Sequence, residues 1–227
     1  MAKIKIDVVI GKSLSGKSYA VQQILKQCAD DRAVQRLITC TTRPMRVEDQ
    51  PDWTYHFWSN RQLMTTLDQS PADIIAPREY QVQQGHDQSV WRYFVNRQDL
   101  LAVPDHVQHL LLIIDWQGYL DLMIAVSHDR ELSQKFDVNG FYINTPLQTR
   151  LYRMTNSSRS VDDPAEMLRR VYYDEFIDFK QLDYLVQMSP EQLQQQYAVT
   201  VYESSQELIT NYLAMLYGEN RIKSDNL

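Results

Sequence analysis

Apolar positions fall in short dense runs separated by amphipathic stretches, the spacing of strands that alternate with helices. Ile4, Ile6, Val8, Val9 and Ile10 form the first run and predict a buried strand, followed by a helix over Ser18–Gln27. Leu37–Cys40 predicts a short second strand. Alternation through Trp53, Tyr55, Phe57 and Trp58 predicts a strand with one buried face, and Ser59 stands where it would cap a helix over Asn60–Leu67. Asp73–Ala76 and Val90–Val95 predict two more strands around a glutamine-rich turn at Gly85. Val107–Ile114 is a near-continuous apolar run of the kind buried in parallel sheets. After it come a helix to about Ser127, a strand over Val138–Ile143 and a helix from Pro146 through Met154. A helix from Pro164 to about Lys180, a strand over Tyr184–Met188 and a last helix from Glu203 to before Gly218 complete the pattern. The alternation predicts an α/β fold, a parallel sheet covered on both faces, with a strand-rich unit inserted over about Thr39–Arg97.

Size and composition narrow the function. A chain of 227 residues suits one sizeable α/β unit carrying small inserted subdomains. A net charge of −6 gives no general attraction for nucleic acid or an anionic membrane, so neither is expected as a partner, and phosphate affinity must come from local basic residues. Cys28 and Cys40, the two cysteines, lack metal-ligand spacing and fit a reducing compartment. The longest apolar run, Leu110–Ile114, is far short of a membrane span, and the N-terminus reads directly into a strand rather than a signal peptide. A cytoplasmic location is expected.

The chemistry concentrates in two places. Gly11-Lys12-Ser13-Leu14-Ser15-Gly16-Lys17-Ser18 fits G-x-x-x-x-G-K-[ST], between a strand and a helix as a P-loop requires. Such a loop wraps its backbone N–H groups around phosphates at the positive end of the following helix. Lys17 is expected to reach the outer phosphates and the Ser18 hydroxyl to hold magnesium, so ATP and Mg2+ are the expected ligands. The second place is Thr39-x-Thr41-Thr42-Arg43-Pro44-x-Arg46, with Tyr55-His56-Phe57 downstream. Two arginine forks beside hydroxyl side chains suit a second phosphate, because guanidinium donates two parallel hydrogen bonds to phosphate oxygens. The alternative is a pair of solvated surface arginines with Tyr55 packed in a small core.

These residues resemble the guanylate kinase family, whose members carry S-x-T-T-R-x-P-R-x-G-E-x-x-G-x-D-Y-x-F after a P-loop. The threonines, both arginines, Tyr55 and Phe57 keep that spacing, Asp115-x-Gln117-Gly118 is similar to the family's D-x-D-x-Q-G, and Asp183-Tyr184-Leu185-Val186 to its D-Y-V-V. The resemblance implies a P-loop core (1–38, 98–146, 171–227), a monophosphate-binding insert (39–97) and a lid (147–170). It implies transfer of the ATP γ-phosphoryl group to a nucleoside monophosphate, GMP or a related nucleotide. Thr39, Arg43, Arg46, Tyr55, Tyr93 and Asp115 would serve the acceptor, and Lys17, Arg43, Arg159 and Arg170 the transferring group. There are departures. The family's guanine-reading carboxylate falls at Ile75 or Ala76 and its hydroxyl partner at Val95; Lys12 and Leu14 replace a proline and a glycine of the loop. The phosphate half of the pattern is retained while the guanine half is largely lost. A binding or scaffold module that has given up catalysis, and an ATP-binding protein with another phosphorylated acceptor, are the competing readings.

Overall fold

The computed structural model describes residues 2–47, 49–50, 54–84, 87–156, 164–178, 184 and 186–218. In chain order, β1 (Ile4–Ile10), α1 (Lys17–Gln27), β2 (Val34–Arg36), β3 (Cys40–Thr41), β4 (His56–Phe57) and α2 (Asn60–Gln69) precede a long hairpin, β5 (Ile74–Gln84) and β6 (Asp87–Asn96). Then come α3 (Arg97–Leu101), β7 (His109–Ile113), α4 (Trp116–His128), α5 (Arg130–Lys135), β8 (Phe136–Ile143), α6 (Leu147–Asn156) and α7 (Pro164–Tyr173). A π-helical turn over Asp174–Asp178 follows α7, and α8 (Pro190–Tyr197), β9 (Val199–Tyr202) and α9 (Ser205–Tyr217) close the described chain. A five-stranded parallel sheet runs in the order β2-β7-β1-β8-β9, and a four-stranded sheet in the order β4-β3-β6-β5. The expected α/β class is therefore observed. Among the described residues no helix is long and apolar enough to cross a membrane.

The chain forms two compact units, one of Met1–Ile6, Gln35–Leu112 and Gln117–Val138, the other of Asp7–Val34, Ile113–Trp116 and Asn139–Leu227. In the first, Cys40, Leu63 and Phe94 make a small core, with Trp58 packed edge-on to Phe94 at 5.1 Å between ring centroids. Ser59 starts α2 through a capping box: its hydroxyl accepts the Gln62 N–H at 3.1 Å while its own N–H donates to Gln62 Oε1 at 2.8 Å. The hairpin runs further than the apolar stretches alone predict. Tyr80 pairs with Trp91 and Val82 with Ser89, and Val82 and Trp91 are both buried, so cross-strand packing extends the strands through a polar-looking segment.

In the second unit Val8, Val9 and Ile10 are fully buried, as a central parallel strand requires. Asp7 is equally buried and accepts hydrogen bonds from the Tyr212 hydroxyl at 2.6 Å and from Asn139 Nδ2 at 3.1 Å. Helix α1 buries Ala20, Val21 and Ile24 and packs on α9, which buries Leu208, Ile209, Tyr212 and Leu213.

Two expected strands and one expected helix need correction. The strand expected over Leu37–Cys40 is replaced by β2 before it and β3 from Cys40, with residues 37–39 between them outside any strand. The strand expected over Tyr184–Met188 does not form: Tyr184 is helical and residues 186–188 form a turn. The last strand is Val199–Tyr202, paired parallel with β8 from Gly140↔Val199 to Ile143↔Tyr202. It is set up by α8, which a Ser189–Gln192 capping box begins and a left-handed Ala198 ends. The helix from Pro164 leaves α geometry at Asp174 instead of continuing as α-helix to about Lys180. Helix α5 was not expected; Asp129 starts it by accepting the N–H groups of Glu131 and Leu132 at 2.9 and 3.0 Å.

Replacing Tyr212 by Phe leaves the buried Asp7 carboxylate short of its closest donor. The variant is expected to lose about 2–3 kcal/mol of stability in urea denaturation. A loss below about 0.5 kcal/mol would show that the phenol is not what supports Asp7.

Candidate functional site

The Gly11–Ser18 loop joins β1 to α1 in the second unit, and its glycines are required by close approach. A Cβ on Gly11 would lie 2.6 Å from Ser15 Oγ and 3.0 Å from the Ile143 carbonyl oxygen. Gly16 caps α1 with φ of 100°, and a Cβ there would meet Ser205 Oγ at 2.9 Å. Leu14, where the resemblance leads one to expect glycine, takes the left-handed conformation at φ of 65°. Its carbonyl is held by Arg153 Nη1 at 2.8 Å, while Thr145 Oγ1 donates to the Ser15 carbonyl at 2.9 Å. Ser15 Oγ is buried and has no hydrogen-bond partner among the described residues.

Lys17 folds back into this loop and donates to the carbonyls of Gly11 at 2.7 Å and Lys12 at 3.0 Å. Burial lowers its pKa to about 8 and the Arg150 charge adds to the effect, while Asp174 and Asp115 oppose it. Ser18 is exposed on the first turn of α1. No sequence-local signal marks what surrounds the loop. Arg150, only 1% exposed, donates to the carbonyls of Thr145 at 3.2 Å and Ser13 at 3.3 Å and to Glu175. Glu175 also accepts from Lys12 Nζ at 3.1 Å, and the Ser13 N–H donates to the Asp174 carboxylate. Arg170 lies partly buried on α7; Arg159 lies outside the described residues.

The second constellation belongs to the first unit. Arg43 is buried, donates to Asp49 at 2.9 Å and to the Pro44 carbonyl at 3.0 Å, and lies 5.4 Å from the Tyr55 ring centroid and 5.6 Å from that of Phe57. Tyr93 packs edge-on to Tyr55 at 5.7 Å. Arg43, Tyr55 and Tyr93 are thus brought together. Although burial disfavours the Arg43 cation, Asp49 and the two phenols more than offset it and raise its pKa. Asp49 also accepts the Arg46 N–H at 2.6 Å, while the Arg46 guanidinium lies 5.9 Å from the Trp91 ring centroid. Thr41 and Thr42 tie this segment to β6: Thr41 Oγ1 donates to the Arg92 carbonyl at 2.9 Å and Thr42 Oγ1 accepts the Arg92 N–H at 3.0 Å. Thr39 is buried, and its carbonyl accepts the His56 N–H at 2.9 Å. Ile75 and Val95 are direct cross-strand partners, 4% and 1% exposed, and Ala76 beside them is left-handed at φ of 50°. Asp49, Arg150, Arg153, Asp174 and Glu175 escaped sequence reasoning.

No protein-family model and no curated protein sequence matches the chain. Among solved structures it is similar to the guanylate kinase of Anaplasma phagocytophilum, with a TM-score of 0.55 and 17% identity over 100% of this chain and 89% of that one. The fold is therefore guanylate kinase-like.

Lys17 makes this site measurable in the folding equilibrium. Its pKa is about 8 when folded against 10.5 ordinarily, so between those values the unfolded chain binds more protons and stability rises with pH. Below pH 8 the folded protein carries the full penalty. Lys17→Met is expected to be more stable than the wild type at pH 7 by on the order of 1–2 kcal/mol, reduced from the full shift by partial solvation, with the gap closing toward pH 10.5. A gap that does not change with pH would mean Lys17 titrates normally.

Proposed function

We propose that the chain is an ATP-dependent nucleoside monophosphate kinase, with ATP on the Gly11–Ser18 loop and the acceptor phosphate held by Arg43, Arg46, Tyr55, Tyr93 and Thr39. The observation that carries this reading is the loop geometry around Lys17: its ammonium is held inside the loop by the Gly11 and Lys12 carbonyls, where burial lowers its pKa and a neighbouring polyphosphate would favour its charged form. The loop suits a polyphosphate. Ser15 Oγ is a buried polar atom on the loop with no partner among the described residues, a donor that a phosphate oxygen could take up. The Ser18 hydroxyl is a hard oxygen donor of the kind magnesium prefers, and that ion when bound would neutralise charge on the outer phosphates.

Phosphoryl transfer needs two anions aligned and positive charge over the group that moves. In this reading Lys17 covers the outer phosphates, Arg43 orients the acceptor phosphate, and Arg159 and Arg170 meet the transferring group when the 147–170 lid closes. Closure excludes water that would otherwise hydrolyse ATP. The base would have no carboxylate at Ile75 or Ala76 and no hydroxyl at Val95. An unpaired guanine donor costs about 1–3 kcal/mol, which caps any preference for GMP. The Arg43–Asp49 ion pair favours the second reading, a binding module, because Asp49 already neutralises the arginine.

The deciding experiment measures kcat/KM with MgATP for GMP, dGMP, AMP, UMP, CMP and dTMP. Transfer to at least one acceptor is expected, with GMP preferred by less than about a hundredfold, and Lys17→Ala should lower the rate about 10³-fold, roughly 4 kcal/mol of barrier. ATP binding without transfer to any of the six would favour the module. A GMP preference above a hundredfold would contradict the apolar base site, and Glu79 would then be the first carboxylate to replace.

Arg43→Ala is a poor probe of the acceptor. It strips one partner from a buried pair and is expected to destabilise the protein by about 3–5 kcal/mol. Arg46→Ala is cleaner: the acceptor KM should rise about tenfold with the KM for ATP unchanged, and equal changes in both would place Arg46 outside the acceptor site.

A further inference from the structure

We propose that Asp174 and Glu175 form an internal anionic cap on the phosphate loop, a contact that a nucleotide must displace before it can bind. The inference rests on the nucleotide-binding reading of Gly11–Ser18. The Ser13 N–H, one of the loop amides that would face a phosphate, donates instead to the Asp174 carboxylate. Lys12 Nζ, on the same loop, donates to Glu175 at 3.1 Å, and Arg150 grips both Glu175 and the Ser13 carbonyl. Asp174 is also near enough to Lys17 to stabilise its charge. Two carboxylates therefore stand against the loop amide and the cations that a polyphosphate would recruit. They offer the same chemistry as phosphate oxygens, anionic acceptors for N–H donors, with less charge.

Local geometry explains how two neighbouring residues reach one loop. Consecutive side chains on an α-helix point about 100° apart. At Asp174 the helix passes from α to π, a change of register that is concentrated at functional sites, and both carboxylates address the loop. Asp174 is 7% exposed, so it is no solvated surface acid. A purely structural ion pair would need Arg150 and Glu175 alone; it would not need the Ser13 amide. The apparent affinity for nucleotide is reduced by the fraction of molecules whose cap is open.

MgATP titrations of the wild type, Asp174→Asn and Glu175→Gln test the cap. Asp174→Asn, which removes charge but little volume, is expected to bind MgATP at least tenfold more tightly. Equal or weaker binding overturns the cap. Glu175→Gln leaves Lys12 and Arg150 without their shared carboxylate and risks misfolding, so a second measurement uses the wild type. On adding MgATP, hydrogen exchange should slow at Ser13 and Leu14 and quicken at residues 172–176, because the capping turn is released. Slowing at both segments overturns the proposal. If none of the three proteins binds MgATP, the nucleotide reading itself fails and the cap with it; binding by all three at one affinity removes the cap alone.

Discussion

A lysine ammonium enclosed by main-chain carbonyls sets the terms for the second unit. Lys17 draws on the Gly11 and Lys12 carbonyls, which turn inward only because the loop doubles back at Gly11 and Gly16. That path needs support from elsewhere in the chain. Thr145, just after β8, and Arg150 and Arg153, within α6, hold the carbonyls of Ser15, Ser13 and Leu14 from outside, and Leu14 accepts a left-handed backbone within that frame. Arg150 can be almost wholly buried because three acceptors surround it. The loop is thus a dense positive site whose balance comes from Asp174 and Glu175, carboxylates brought in by the turn after α7.

The first unit meets a similar demand by a different route. Arg43 sits among Tyr55, Phe57 and Tyr93, where an unpaired guanidinium would be unfavourable, and Asp49 supplies the counter-charge. Asp49 also fixes the backbone at Arg46, so one carboxylate shapes the whole turn after Pro44. In each unit, then, the groups best suited to phosphate are already engaged with carboxylates. The two cases differ in what release requires. Arg43 shares a short local turn with its partner, whereas the loop of the second unit depends on residues more than 160 positions away.

Patterns with a short period were legible in the sequence. The β1 run, the glycine and lysine spacing of the loop, Ser59 ahead of α2 and the β8 run announce themselves within a few residues. The Thr-Thr-Arg segment and Tyr55 stood out through a resemblance in spacing, and Arg43, Tyr55 and Tyr93 lie side by side. Other features were not legible, for physical reasons. β9 has only four residues, too few for alternation to stand out, and it is defined by its pairing with β8. The hairpin's outer part looks polar because one face is solvated, and only Val82 and Trp91 mark the other. Arg150, Asp174 and Glu175 read as helix-surface charges until the fold closes them on the phosphate loop, a contact with no sequence-local trace. Arg159 lies outside the described residues.

The most direct test of an anion site built on Lys17 is the proton balance of MgATP binding, measured by titration calorimetry at pH 8.5 in buffers of different ionisation enthalpy. With a pKa of about 8, Lys17 is mostly neutral at that pH in the free protein, and phosphate at the loop should restore its charge. Net uptake of about half a proton or more per nucleotide is the expected result, and it should vanish in Lys17→Met. Binding with no buffer-dependent heat, or uptake that persists in that variant, would contradict a phosphate contact through Lys17.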